Sequence, residues 1–594
     1  MPGMGGPLSA NNPVIVDAFH SSLRGQALLA GLLLLIAAAA WAFHLRAGRG
    51  EGQASAGLPP NGAEHPARRL LRVGFGILWV LDGLLQAQSS MPLGLPAQVV
   101  QPAAATSPGW VQHLVNDGLS IWTRHPIPAA SAVVWIQIGI GAMLLLSPRG
   151  RLSRVAGALS VGWGLVVWVF GEAFGGVFAS GLSWMFGAPG AALFYCAAGL
   201  LIAVPEGLWG NPRLGRILAR SLGVFLLGMA LLQAWPGRGF WQGQTGPGAT
   251  AGALTAMAQG MAQTPQPAIL SSLVRSFATF DSAHGWAVNL VAVLVLASAG
   301  AALVTARPRL VRLAVGVGVG FCLLDWLFVQ DFGFFGGVGT DPNSMIPMVL
   351  LLVTAGLALH RHPAAAPAKA DPVSSRIARR AGFAAALATF AVVLVGAVPM
   401  AFASMSTSTD AILTEGINGQ PDQTNIPAPP INLSDQNGHP VSLNSLRGRT
   451  IALTFLDPVC TTDCPIIAQQ FRQVDESLGA EATKTAFVAV VANPIYRGVP
   501  FLDAFDQQEG LNGLHNWYFL TGSVSQLTEV WNAYGIEIQT ISDGGMVAHG
   551  DNAFVIDASG RLREQLGADP GNSSSTAESL ATLLGQEMRS VMGS

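Results

Sequence analysis

The sequence predicts an all-α polytopic membrane region of about ten transmembrane helices, followed by a separate α/β domain. Three observations carry that expectation: ten apolar runs long enough to cross a bilayer, a reversal of charge near residue 405, and an alternation of strand and helix patterns confined to the last part of the chain. A composition of 51% hydrophobic and 11% charged residues excludes an ordinary soluble protein of 594 residues. The near-zero net charge conceals a split. Residues 1–404 carry 23 Lys and Arg against 12 Asp and Glu, whereas residues 405–594 carry 8 against 21.

The apolar runs lie at 25–44, 71–90, 129–147, 154–172, 189–205, 219–236, 284–305, 311–330, 345–361 and 381–404, each of a length to span about 30 Å of hydrocarbon. The first is followed by an Arg-containing loop rather than a small-residue cleavage site, so it reads as a retained span. With ten spans, nineteen of the basic residues before Ser404 fall on one side, and only Arg24, Arg124, Arg238 and Arg275 fall on the other. The positive-inside rule then places both termini outside the cytoplasm. Only Lys369 and Lys484 are lysines, an arginine bias typical of GC-rich bacterial genomes, and the expected location is a bacterial plasma membrane.

PRGRLSRVAG (148–157) recurs as ARPRLVRLAV (306–315), Trp168 recurs as Trp326 in the same register, and GLLQAQ (83–88) recurs as ALLQAW (230–235). Spans two to five and six to nine therefore read as two parallel four-helix copies, with long outer loops at 92–127 and 237–283. This four-helix unit resembles the DoxX-like membrane family. The expected division is a first helix and cytoplasmic loop over 1–70, repeats over 71–206 and 216–361, a tenth helix over 376–404, a linker over 405–427 and a domain over 428–594. Asp82, Glu172 and Asp325 are acids in or near the membrane, where ionisable groups are costly and flag proton, quinone or metal passage. Their replacement in the second copy, Asp82 by Met229 and Glu172 by Gln330, argues against a symmetric pathway. His360 and His362 read as solvated, and Cys196 and Cys322 as buried packing residues.

In the last part of the chain, TIALTFL (450–456), TAFVAVVANP (485–494), NWYFLTG (516–522) and NAFVIDASG (552–560) read as strands. IIAQQFRQVDESL (466–478), VSQLTEVWNAYG (524–535) and a segment around 575–591 read as helices, so the domain is a layered α/β sheet. Cys460 and Cys464, in DPVCTTDCPII (457–467), fall where the first of these strands turns into a helix. Free N–H groups at a helix start favour thiolates, and CxxxC spacing puts the sulfurs at i and i+4. A redox dithiol, a structural disulfide and a pair of metal ligands all remain open on this spacing; thioredoxin-type reductants use CxxC instead.

PPINLSDQNGHPVSL, LTFLDPVCTTDCP and MVAHGDNAFVIDASGRL resemble the Sco/SenC family of thioredoxin-fold copper proteins associated with cytochrome c oxidase assembly. The resemblance runs from about 428 to 594 and implies a thioredoxin-like fold in which Cys460, Cys464 and His549 bind one copper ion as Cu(I) or Cu(II). Two soft thiolates and an imidazole suit that metal. Where the family has an aspartate-rich stretch, this chain reads VVANPIYRGVP. Asp463 and Met546 are secondary candidates at the site, and His439 and His515 read as structural.

The function this implies is a membrane-anchored extracytoplasmic copper protein that supports maturation of a respiratory oxidase copper site. The expected partners are the oxidase copper subunit or another extracytoplasmic thiol protein, together with the bilayer; no nucleic acid is expected. One alternative is a thiol-disulfide oxidoreductase using Cys460 and Cys464, which is the enzyme class expected if the chain is an enzyme. Another is a transporter or quinone-linked membrane module with the soluble domain as accessory.

Overall fold

The computed structural model describes residues 9–47, 64–179, 181–243, 251–359, 372–406, 422–540, 545–567 and 579–593. His360, His362 and most of the expected linker lie outside the described residues. The chain divides into two compact units. One comprises Ser22–Thr123 and Pro128–Met405; the other comprises Ser406–Ser594 with Met1–Ser21 and Arg124–Ile127.

Ten helices stand where the apolar runs were found. They are α1 (Pro13–Ala47), α2 (Pro66–Leu85), α3 (Pro126–Leu146), α4 (Gly150–Val166), α5 (Ala191–Ala203), α6 (Pro212–Ala234), α7 (Ala268–Val304), α8 (Pro308–Phe328), α9 (Met345–Ala358) and α10 (Pro372–Met405). Among the described residues seven helices are long and apolar enough to cross a membrane. The others depart for visible reasons. Helix α2 carries Arg68, Arg69, Arg72 and Asp82. Helices α5 and α9 have only 13 and 14 residues, about 20 Å at 1.5 Å per residue.

The segments expected as long outer loops are partly helical. Gly109–Arg124 is a helix that buries Val111, Val115 and Leu119 at intervals of four, the spacing of one helical face. Ala253–Met261 is also helical, and α7 begins at Ala268, inside the second expected loop.

Glycines set the closest helix approaches. A Cβ on Gly157 would stand 2.6 Å from the Gly199 carbonyl, joining α4 to α5. One on Gly223 would stand 2.7 Å from the Gly300 carbonyl, joining α6 to α7. In lipid such close backbone contact supplies dispersion that apolar burial cannot.

At one end of the bundle Glu64, Arg68 and Arg72 form a buried clamp. Arg68 pairs with Glu64 at 2.7 Å and donates to Pro148 O, Ser153 Oγ and Ile202 O. Arg72 pairs with Glu64 at 2.9 Å and donates to Leu144 O and Leu145 O. The Leu144, Leu145 and Ile202 carbonyls lie at the last turns of α3 and α5, where unpaired C=O groups and the helix dipole both favour a cation. Two of the arginines that count toward orientation are thus committed to packing.

The C-terminal unit is an α/β sandwich. Its strands are β1 (Asp422–Pro427), β2 (Asn432–Ser434), β3 (Pro440–Ser442), β4 (Thr450–Leu456), β5 (Thr485–Val491), β6 (Trp517–Leu520), β7 (Ile538–Thr540), β8 (Val547–His549), β9 (Asn552–Ile556) and β10 (Arg561–Gly567). Its helices are α11 (Asp463–Leu478), α12 (Val499–Glu509), α13 (Val524–Tyr534) and α14 (Leu580–Gly593). Six strands form one sheet in the order β1-β10-β9-β4-β5-β6, with β4, β5 and β6 parallel and β9 antiparallel to β4.

Every residue of β4 and β5 is buried, as strands covered on both faces require. Alternation sends Phe455 to Tyr534 of α13, 5.7 Å between ring centroids, and Phe487 to Phe471 of α11 at 6.1 Å. Helices therefore cover both faces in the thioredoxin-like manner, and the central strand β4 delivers its carboxyl end to the cysteine loop.

Replacing Gly223 by Val should loosen the α6–α7 contact by about 1–3 kcal/mol. The expected outcome is a lowered melting temperature of the detergent-solubilised chain; an unchanged one would deny that this approach matters.

Candidate metal and thiol site

β4 ends at Leu456, and the next residue, Asp457, is wholly buried. Its Oδ1 accepts from Val459 N at 3.0 Å and from Asn493 Nδ2 at 3.1 Å, and its Oδ2 accepts from Val547 N at 2.8 Å. The first of these bonds is an Asx turn, which bends the chain at Pro458. The other two fasten the cysteine loop to the segment after β5 and to β8. Asp457 O also accepts from Cys460 N at 3.0 Å.

Cys460 lies in this turn and Cys464 is the second residue of α11. The sequence placed both sulfurs on one helical face. The structure places only Cys464 on the helix, because the Asp457 turn delays helix entry until Thr462. Cys464 is buried and Cys460 half-buried; neither is in a disulfide. The Cys464 sulfur accepts from Asp457 N at 3.3 Å, and Cys460 Sγ lies 3.5 Å from Thr462 Oγ1.

The two thiols differ in acidity. Hydrogen bonding from the Cys464 thiol holds Cys460 down, to about 5, with burial opposing and Thr462 assisting. The same contact pushes Cys464 up, and burial adds to it. The pair therefore gives up its first proton at Cys460, and the proton left on Cys464 stabilises the thiolate.

His549, at the end of β8, brings its Nε2 to 3.4 Å from Cys464 Sγ. Its Nδ1 is 3.3 Å from Gly550 O and 3.7 Å from Asp551 Oδ1. A carbonyl only accepts, so the Gly550 contact selects the tautomer with hydrogen on Nδ1 and the lone pair of Nε2 facing sulfur. Beside it, Met546 Sδ accepts from Thr461 N at 3.3 Å, so a thioether also borders the cysteine loop.

Among the described residues no three His, Cys, Asp or Glu side chains converge closely enough to hold an ion. Cys464 and His549 touch, and Cys460 stands beside Cys464 but outside that pair. The donor chemistry, two sulfurs and an imidazole lone pair, nonetheless fits a soft ion such as Cu(I).

The remaining residues singled out in the sequence lie elsewhere. Asp463 is exposed in the first turn of α11. His439 is exposed and pairs with Asp435 at 3.6 Å, and His515 is exposed. The sequence reading missed Asp457 and Asn493. Asn493 stands where an aspartate-rich stretch was absent, and it donates to Asp457 and to Gly545 O. The Asp-Pro pair at the strand end was the available signal for the turn. Cys196 and Cys322 are buried in the helical unit.

Residues 419–585 match the SCO1/SenC family model. Solved structures similar to this part include a SCO1/SenC family lipoprotein from Bacillus anthracis, 20% identical, covering 29% of this chain and 98% of that one with a TM-score of 0.26. Copper-bound ScoI from Bradyrhizobium japonicum is 17% identical, covering 28% and 98% with a TM-score of 0.24. BsSco, described as a Sco-family cytochrome c oxidase assembly protein with a disulfide switch, is 20% identical, covering 29% and 95% with a TM-score of 0.25. No curated protein matches the chain.

Iodoacetamide alkylation of Cys460 in the reduced chain should rise as pH climbs through about 5 and then level off, since deprotonation creates the nucleophile. In Cys464→Ala the midpoint should move up toward the ordinary thiol range of about 8.5; an unmoved midpoint would remove Cys464 as the cause. Asp457→Ala leaves Val459 N and Val547 N without an acceptor and takes one of two acceptors from Asn493 Nδ2, at about 1–3 kcal/mol. Amide exchange at Val459 and Val547, read by mass spectrometry, should then accelerate at least tenfold.

Proposed function

We propose that the SCO1/SenC domain is an extracytoplasmic copper-binding module that supports maturation of a respiratory oxidase copper site, with Cys460, Cys464 and His549 as its ligands. The observation that carries this reading is the Cys464 Sγ to His549 Nε2 approach of 3.4 Å across 85 residues of sequence, next to a Cys460 held in the thiolate range. Copper would supply a soft acceptor for these lone pairs. Cys460 would complete the set by a small movement of its half-buried loop, and Asp457 would hold the other two ligands in register.

The acid difference between the thiols favours a second reading, thiol-disulfide exchange. In that chemistry the Cys460 thiolate attacks a partner's disulfide, one partner sulfur leaves as a thiolate, and a mixed disulfide forms. Cys464, once deprotonated, then displaces the second partner sulfur and closes the Cys460–Cys464 disulfide. The two readings exclude each other at any instant, because an oxidised pair offers no thiolates to copper.

The helical unit is read as two copies of a four-helix unit that hold the domain at the bilayer. The positive-φ triplet Ala173, Phe174 and Gly175 recurs 158 residues later as Asp331, Phe332 and Gly333, at the same offset as the arginine motifs. The arginine bias favours both termini outside the cytoplasm.

Full chain in detergent, reduced and titrated with Cu(I) without oxygen, should bind one ion per chain, and His549→Ala should lower that affinity at least tenfold. Wild-type chain that bound no copper yet reduced a disulfide substrate would transfer the site to the second reading. An alkaline phosphatase fused after Ser404 should be active; inactivity there, with activity in a cytoplasmic reporter, would reverse the orientation.

A further inference from the structure

The acids flagged in the helical unit are divided: Asp82 and Glu172, with Asp341, line a cavity of about 600 Å³, and Asp325 is buried on α8 outside it. That wall is mostly apolar, and its acids select no ligand by themselves. A thioether in the C-terminal unit does more.

Met546 stands immediately before β8, three residues ahead of His549. Its sulfur accepts from Thr461 N at 3.3 Å and from Thr461 Oγ1 at 3.7 Å. The Thr461 N–H belongs to the peptide that joins Cys460 to Thr461, so the thioether rests on the backbone of the cysteine loop itself. Both contacts are weak, because thioether sulfur is a poor acceptor. A soft metal ion would replace them at little cost.

Core packing does not account for this placement. Met588 and Met592, the other described methionines of the domain, belong to its apolar core, whereas Met546 does not and is 36% exposed. Its backbone is nevertheless held on both sides. Gly545 O accepts from Asn493 Nδ2 at 3.1 Å, and Val547 N donates to Asp457 Oδ2 at 2.8 Å. Asn493 and Asp457 are also bonded to each other, so the pair that fastens the cysteine loop fixes the chain on either side of Met546. The side chain has three rotatable bonds, and its sulfur can turn toward Cys460 while that backbone stays in place.

From the surface inward the donors run Met546, then half-buried Cys460, then Cys464 with His549. A thioether is a neutral, soft ligand that suits Cu(I), and it loses no proton on binding, unlike a thiol. We propose that Met546 is a further ligand of the copper site, a neutral sulfur that joins Cys460, Cys464 and His549 from the solvent side. The inference rests on the copper reading above and adds to it a donor that the three-ligand set lacks.

The test uses the full chain in detergent, produced with selenomethionine, reduced and loaded with one Cu(I) per chain. X-ray absorption at the copper edge reports only the neighbours of copper, and it should show a selenium atom in the first shell beside sulfur and nitrogen. Of the fifteen methionines, fourteen remain labelled in Met546→Leu, and there the selenium signal should vanish; its persistence would assign it to another methionine and overturn the proposal. Leucine keeps the bulk that covers Thr461 and removes only the sulfur. In competition with a Cu(I) chelator this variant should bind about tenfold more weakly or worse, a loss typical even of groups that only support a metal ligand, and an unchanged affinity would overturn the proposal. Copper surrounded by sulfur and nitrogen without selenium in the unmutated chain would also overturn it and leave the three-ligand reading intact, whereas an unmutated chain that bound no copper would overturn both. The spectrum of the unmutated chain decides the matter even if the variant fails to fold.

Discussion

The cysteine and histidine site depends on one buried carboxylate. Asp457 gathers N–H groups from Val459, Asn493 and Val547, which lie 2, 36 and 90 residues along the chain. Each bond is charge-assisted, and together they solvate a carboxylate that has no exposure to water. Strands β7 and β8, three residues each, form a small sheet of their own to carry His549. The Val547 bond is what joins that sheet to the end of β4, where Cys464 begins its helix. A single acid thereby converts three separate loops into one surface.

On that surface the two sulfurs are unequal, and the inequality has a local cause. Cys464 is on a helix, buried, and in contact with both an amide N–H and an imidazole, while Cys460 sits in a turn with partial access to solvent. A symmetric CxxxC pair on one helical face would share its environment and divide its acidity more evenly. The Asp457 turn breaks that symmetry by keeping Cys460 out of the helix. The outer sulfur is then the accessible nucleophile or first ligand, and the inner one, already facing His549, is the fixed point that metal binding and disulfide closure must both use.

Much of this domain was legible in the sequence, since β4, β5, α11 and α13 announce themselves by period and length, and the CxxxC at a strand end marks the site. What was not legible depends on contacts between distant residues. Asp457 was passed over because its partners at 493 and 547 are invisible to local pattern. Asn493 read as the loss of an acid, whereas it has a different task, donating across the loops. In the helical unit 92–127 was expected as a long outer loop, yet Gly109–Arg124 folds because Val111, Val115 and Leu119 pack against Met91, Leu95 and Ala104. Helix α5 was overextended for the opposite reason, since apolar Val204 and Pro205 continue past its last helical residue, Ala203.

The acids on the cavity wall of the helical unit show the same dependence on contacts between distant residues. At the end of α4, Glu172 accepts from the first turn of α5; 158 residues on, Gln330 donates to Ser344 Oγ at the start of α9. Both side chains tie a helix end to the next helix start, so either residue serves packing. Only the first leaves a carboxyl at a cavity wall, and only α2 offers Asp82 where α6 has Met229. Asp341 then enters from the segment before α9, so the three acids come from distant parts of the sequence. Equivalent helix-end contacts can thus be made by either an acid or an amide, and the gathering of three acids on one wall depends on which residue each segment happens to carry there.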